Sequence, residues 1–266
     1  ALFEQFKSHD KVRVTVGPHA PYTVDDDALI KVRELSEKHN AYIHMHVDET
    51  ASEIEGSMKQ YGMRPIQRLH KLGLLSNRFI SVHTVHPDAS EMALLFKAGA
   101  SVVHCPCSNL KLASGFAPVA QMMSMGINVA MGTDGVASND KVDLLGETRL
   151  GAMLGKAVCQ DTTQMKVTDM LYAATMGGAK ALGWDDRIGS LEKGKDADLI
   201  AVDLGDIDAL PVFDPASQLL YSAGREDITH VWVDGRLVVK KQQRDGLRPL
   251  SRENAQKITK TWQNRI

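Results

Sequence analysis

The 266-residue chain is 43% hydrophobic and 24% charged, the balance of a globular protein able to bury a sizeable core. Its formal net charge of −2 gives no electrostatic ground for binding nucleic acid or an anionic membrane, and no apolar run is long enough to span a bilayer. The three cysteines are too few and odd in number for a disulfide framework, and the start, ALFEQFKSHD, does not read as a leader peptide; both suit a cytoplasmic setting.

Short β-branched runs alternate with helical patterns along the chain. Lys11–Val16 is predicted as a first strand, and Asp25–His39 as a helix with Leu29, Val32 and Leu35 on one face. Ala41–Val47 is the next strand. Arg64–Leu72 is helical, with Pro65 in its first turn and Gly73 as its stop. After the strand Arg78–His83, Asp88 and Glu91 have the spacing of a capping box, and Gly99 closes that helix. Ala100–His104, a helix over Pro118–Met125 ending at Gly126, and the strand Ile127–Gly132 complete the series. Repeated strand-helix-strand order implies parallel strands joined by right-handed crossovers.

Such a series suits a doubly wound sheet or part of a barrel. The polar residues separate the two, because every strand leads into one: His19, His46, His83, Asn109 and Asp134. A barrel assembles its site from several strand ends, whereas a doubly wound sheet uses one switch point, often with a glycine-rich phosphate loop that is not found here. The expectation is therefore an α/β fold of the (β/α)8 barrel type over residues 1–185. Beyond it, Ile188–Asp203 and Thr229–Lys240 are strand-rich, and Asp234-Gly235 signals a hairpin. Residues 186–245 are expected to form part of a small β-sandwich, and residues 246–266 a polar terminal helix centred on Ser251–Arg265.

In His44-Met45-His46-Val47-Asp48-Glu49 the two histidines share a strand face and Glu49 lies just past its end. A metal lowers the pKa of bound water and a carboxylate moves protons to a leaving group, so this pairing suits hydrolysis. Taken alone, a hydrogen-bonded core histidine beside a surface glutamate is the better explanation. His83, in Ser81-Val82-His83-Thr84-Val85-His86, ends a strand where it could bind metal or hold an attacking water, and His86 before Pro87 reads as a surface residue. Asp134, between Gly132-Thr133 and Gly135, is either a turn aspartate or a metal ligand facing a barrel mouth. His19 sits in a loop stiffened by Pro18 and Pro21 and suits substrate contact, with a stiff turn as the plain alternative. Cys105-Pro106-Cys107 has no second pair at zinc-knuckle spacing and is given no chemistry. Four sites at equivalent strand ends make coincidence a poor explanation.

The stretches GPHAPYT, HMHVDET, SVHTVH, HCPCSNLKLASGFAPV, MGTDGVASND and GSLEKGKDADLIAVD, in that order, resemble the amidohydrolase superfamily. The likeness is to its branch of 5-methylthioadenosine/S-adenosylhomocysteine deaminases, which includes triazine chlorohydrolases. The resemblance implies one zinc (in some members iron) per chain, with His46 and Asp134 as ligands. Glu49 is implied as the proton shuttle, His83 as the histidine that orients the attacking water, and His19 as a substrate contact, with Glu49 and Asp134 also touching the substrate. The implied activity is hydrolytic deamination of adenosine-type thioether nucleosides through a metal-activated water. Alternatives are a purine-base (guanine-type) deaminase, a triazine chlorohydrolase, or an inactive fragment. The last arises because the family's early His-x-His has no counterpart ahead of these motifs. Barrel strands four to eight are expected here, on a truncated chain or one needing a complementary N-terminal segment. The expected partners are a small-molecule substrate and either that segment or further copies of the chain.

Overall fold

In the computed structural model, residues 2–205, 212–240 and 243–244 are described. The elements, in chain order, are α1 (Leu2–Gln5), α2 (Asp26–His39), β1 (Ile43–Val47), α3 (Ala51–Tyr61), α4 (Pro65–Lys71), β2 (Phe79–His83), α5 (Ala89–Ala98) and β3 (Ser101–His104). Then come α6 (Pro106–Lys111), α7 (Val119–Ser124), β4 (Asn128–Met131), α8 (Leu144–Cys159), α9 (Val167–Tyr172), a π-helical turn over Ala173–Gly177, and α10 (Gly178–Leu182). The chain continues with β5 (Leu199–Val202), α11 (Pro215–Tyr221), β6 (Ile228–Val233), β7 (Arg236–Lys240) and β8 (Gln243–Arg244).

β1 to β4 pair in chain order, all parallel, with His46 opposite Val82, Val47 opposite His83 and His104 opposite Met131. Alternation along each strand separates two layers. Ile43, Met45, Val47, Phe79, Val102, Val129 and Met131 pack outward against helix residues such as Leu29, Ile66, Leu69, Met92, Leu95, Met122 and Met170. On the inner face Ile80, Val82 and Cys105 form a smaller cluster with Tyr42 and Val103. The polar strand ends meet at the rim where all four strands finish.

The local signals behave as their chemistry requires. The Asp25 side chain accepts from Ala28 N, and Asn40 ends α2 in the left-handed region. Leu29 is buried but Leu35 is 39% exposed, so the α2 face against the core runs through Leu29 and Ser36 instead. Asp88 and Glu91 close their capping box, and Gly99 stops α5 at φ 67°. Lys11–Val16 is not a strand: only Val16 bridges Ile43. Its hydrogen bonds run to one side only, from Val16 N to Tyr42 O and from His44 N to Val16 O, and Pro18 has no N–H to extend the ladder.

The second sheet is antiparallel in the order β5-β6-β7-β8. Asp234 (φ 51°) and Gly235 (φ 71°) make the β6–β7 turn, two left-handed residues in a row as a tight hairpin demands. Only Leu199–Val202 of the strand-rich stretch 188–203 is extended in the sheet, because Gly189 (φ 92°) and Gly194 (φ 101°) turn the preceding chain. The expected helix over Ser251–Arg265 lies outside the described residues. No helix among those described is long and apolar enough to cross a membrane.

Candidate metal and catalytic centre

Three strand ends bring their side chains to one point. Ligand atoms of His46, His83 and Asp134 lie within 4.8 Å of one another. The backbone that aims them is unusual: Asp48 (φ 55°), His83 (φ 71°), Thr84 (φ 46°) and Asp134 (φ 59°) all occupy the left-handed region. Non-glycine residues persist there only when the surroundings hold them, and such strain gathers at functional sites. Thr84 is held by its N–H to Val47 O and by its hydroxyl against Ser81 Oγ at 2.8 Å.

His46 is half-buried, and its ring lies between those of His19 (5.2 Å centroid to centroid) and His83 (5.1 Å). Burial, followed by the His83 charge, holds the His46 imidazole below its ordinary pKa, which keeps its lone pair available. Burial also acts to raise the Asp134 carboxyl, but hydrogen bonds from Ser138 and Ser108 outweigh it and keep the group below the usual carboxylate range. Ser108 Oγ donates at 2.7 Å and Ser138 Oγ donates to the same oxygen, Oδ2, which fixes the carboxylate's orientation. Asn139 braces this turn by donating to Thr133 O and to the buried Glu147, whose other oxygen accepts from Cys107 N.

Glu49 sits one residue past the left-handed Asp48. Its Oε2 is 3.9 Å from His83 Nε2 and its Oε1 accepts from Ser114 Oγ at 3.1 Å. Glu53, from α3, accepts both Asp48 N (3.0 Å) and Glu49 N (2.8 Å), so the turn carrying Glu49 is fixed by its own chain. Burial pushes Glu53 up to about 7, partly offset by those two N–H groups. Asp48 is fully buried, and burial together with Glu91 and Glu53 pushes its carboxyl well above the usual range.

His83 is 1% exposed, and its Nδ1–H donates to Asn109 Oδ1 at 2.8 Å, leaving Nε2 toward Glu49. His19 is exposed on its loop, with Nδ1 3.2 Å from Thr23 Oγ1. That loop is pinned from α4 by Arg68, a cation only 2% exposed that donates to Pro21 O, Val24 O and Asp26 and lies over the Tyr61 ring at 3.7 Å.

The five residues expected from the sequence, His19, His46, Glu49, His83 and Asp134, thus occupy one rim of the parallel sheet. His86 corrects the surface reading: it is half-buried and its Nε2–H donates to Ser114 O at 2.6 Å, bracing the segment that touches Glu49. Cys105 and Cys107 are unpaired thiols. Burial raises both, Cys105 well above the thiol range and Cys107, with Glu147 beside it, to about 12. Ser108, Ser114, Ser138, Glu53 and Glu147 were not singled out from the sequence. Ser108, Ser114 and Ser138 lie inside the motifs, and Glu53 and Glu147 a few residues beyond them, but the partners of Ser108, Ser114 and Glu147 are 26 to 65 positions away and no local pattern carries those pairings.

Two nitrogens and a carboxylate converging at strand ends form a donor set suited to a divalent cation such as zinc. The comparisons agree with this setting. A 5-methylthioadenosine/S-adenosylhomocysteine deaminase from Teredinibacter turnerae is 42% identical over 265 residues, covering 100% of this chain but 59% of that protein. A crystal structure of an adenosine deaminase from Xanthomonas campestris with bound zinc is 42% identical, with a TM-score of 0.95 over 99% of this chain and 60% of its own. An atrazine chlorohydrolase from Arthrobacter aurescens, complexed with zinc, is 28% identical with a TM-score of 0.88 over 97% of this chain and 57% of its own. The chain therefore spans about 59% of the length of the curated relative it matches. Its parallel sheet and helices share the α/β barrel fold of these metal hydrolases. A family model described as Amidohydrolase family matches residues 1–238, and on that match and these relatives the chain belongs to the amidohydrolase family.

Proposed function

We propose that this chain carries the metal-binding and proton-transfer residues of an aminohydrolase acting on adenosine-type thioether nucleosides, with water replacing the ring amino group and ammonia leaving. The carrying observation is the convergence of His46, His83 and Asp134 within 4.8 Å, with Glu49 at 3.9 Å from His83. In this reading residues 1–185 form the catalytic unit and residues 186–245 the appended sheet.

His46 and Asp134 would hold the cation, one per chain. A divalent cation bound there lowers the pKa of a water molecule toward neutrality and so supplies a nucleophile at working pH. His83, anchored through Nδ1, directs Nε2 at the attacking water. Asp134, kept ionised by its two serine donors, accepts a proton from that water. Glu49 delivers a proton to the ring nitrogen next to the amino-bearing carbon; carbon–oxygen bond formation is then matched by loss of the carbon–nitrogen bond, with ammonia carrying the last proton away. His19, exposed on a loop pinned by Arg68, contacts the nucleoside.

The thioether nucleoside is favoured over a triazine because the deaminase relative is 42% identical and the chlorohydrolase 28%. The test is turnover of a panel by the zinc-loaded protein: 5-methylthioadenosine, S-adenosylhomocysteine, adenosine, guanine and atrazine. Ammonia release from the first two at the highest kcat/KM supports the reading. Preference for guanine or atrazine moves the chain to those activities, and no turnover of any compound removes the assignment.

A further inference from the structure

The buried polar atoms behind His83 point to a second row of residues that acts on it. Asn109 is 1% exposed and His104 is 4% exposed. Asn109 spends its Oδ1 on His83, while its Nδ2 has no partner among the described residues; the same holds for His104 Nδ1. Both residues line one small cavity of about 10 Å³ between α6 and α8, whose wall also includes Phe116, Leu154 and Val158. Buried polar atoms left unpaired are costly, so two of them on residues beside one small cavity form a joint demand. A cavity of this size with polar partners is what one ordered water needs.

We propose that Asn109 is a positioning residue that fixes the tautomer of His83, and that one buried water links Asn109 Nδ2 to His104 Nδ1. The inference rests on the aminohydrolase reading for its effect on rate, but not for the hydrogen bonding itself. The polarity of the chain follows from its fixed members. The amide oxygen can only accept, so His83 carries its proton on Nδ1 and presents a bare Nε2 toward Glu49. The amide N–H₂ can only donate, so the water receives from Asn109 and donates to His104 Nδ1, which places the His104 proton on Nε2. His104 suits this acceptor role because burial, followed by the His83 charge, pushes its pKa down to about 4. Without the Asn109 oxygen, His83 loses its reason to hold the proton on Nδ1. A proton on Nε2 instead would turn a donor toward the position where an acceptor is required.

The test uses the zinc-loaded protein labelled with ¹⁵N-histidine, read by long-range proton–nitrogen spectra and by steady-state kinetics. The wild type should show His83 protonated on Nδ1 and His104 on Nε2. Asn109→Ala should move the His83 proton to Nε2 and lower kcat about 10–100-fold with KM little changed, the order of loss that removing a hydrogen-bond partner behind a working histidine brings. Asn109→Leu keeps the side-chain volume and should do the same, which covers the case in which Asn109→Ala folds poorly. Asn109→Asp restores the acceptor and should return both the tautomer and most of the rate. An unchanged His83 tautomer in Asn109→Ala and Asn109→Leu, or an Asn109→Asp protein no better than these, overturns the proposal. If the wild type turns over no substrate the functional reading fails, while the spectra still decide the tautomer.

Discussion

At Glu49 the chemistry and the geometry meet in one side chain. The Ser114 hydroxyl and the turn fixed by Glu53 place its carboxylate beside His83, so removing the charge while keeping the shape tests the proton-transfer role proposed for it. Glu49→Gln should lower kcat about 10²–10⁴-fold, the span of general acid–base catalysis, with an unchanged circular dichroism spectrum and unchanged zinc content. His104 offers a pH test. Its ring binds a proton below about 6.5 when the chain is unfolded but only near 4 in the fold. The stability it contributes is complete above 6.5 and is lost as pH falls toward 4, a total of roughly 3 kcal/mol. Denaturant titrations at pH 7 and 4.5 should show His104→Gln losing roughly 2–3 kcal/mol less than the wild type. Equal losses in both proteins would refute a buried, proton-poor His104. At this scale the sequence picked out His46, Glu49, His83 and Asp134 as residues that come together at one rim, because each stands at or just past a strand end within its motif. Asn109 stood out as a polar strand-end residue, but its bond to His83 spans 26 positions and no local pattern carries that pairing.

Among the elements, the legible ones are those whose signals are local. Asp25, the Asp88–Glu91 box, Gly99 and Asp234-Gly235 act on backbone groups within a few residues, so their chemistry can be read without the fold. Lys11–Val16 failed as a strand because a ladder needs a neighbour, and which neighbour is present is not written in the strand itself. The π-helical turn was equally hidden. It follows from a close approach: a Cβ on Gly177 would lie 2.4 Å from Val129 O, so the turn presses its backbone onto β4. Asn128 Nδ2 donates to Gly177 O at 3.0 Å and fixes the same contact. Gly177→Ala should therefore cost about 1–3 kcal/mol of unfolding free energy, measured by urea titration. Gly178→Ala, whose added Cβ meets nothing within 4 Å, is the control and should cost much less. Equal effects would mean that the contact with β4 is unimportant.

Across the molecule, the segment ahead of the parallel sheet is tied to the C-terminal part of the chain by polar contacts, among them the ion pair of Lys11 with Asp234 in the β6–β7 turn and the Arg187 guanidinium donating to Asp10 O. The barrel type was legible because polar residues recur at one end of successive strands, a periodicity longer than any single element. Metal binding is where this whole arrangement is put to the test, since His46, His83 and Asp134 come from β1, β2 and the turn after β4 and meet only if all three strands are in register. The decisive measurement is calorimetric titration of zinc into chelator-stripped protein, for the wild type and for His46→Ala and Asp134→Ala. The expected result is one zinc per chain in the wild type and markedly weaker binding in both variants. No saturable binding by the wild type, or equal affinity in all three proteins, would contradict a metal centre at these strand ends.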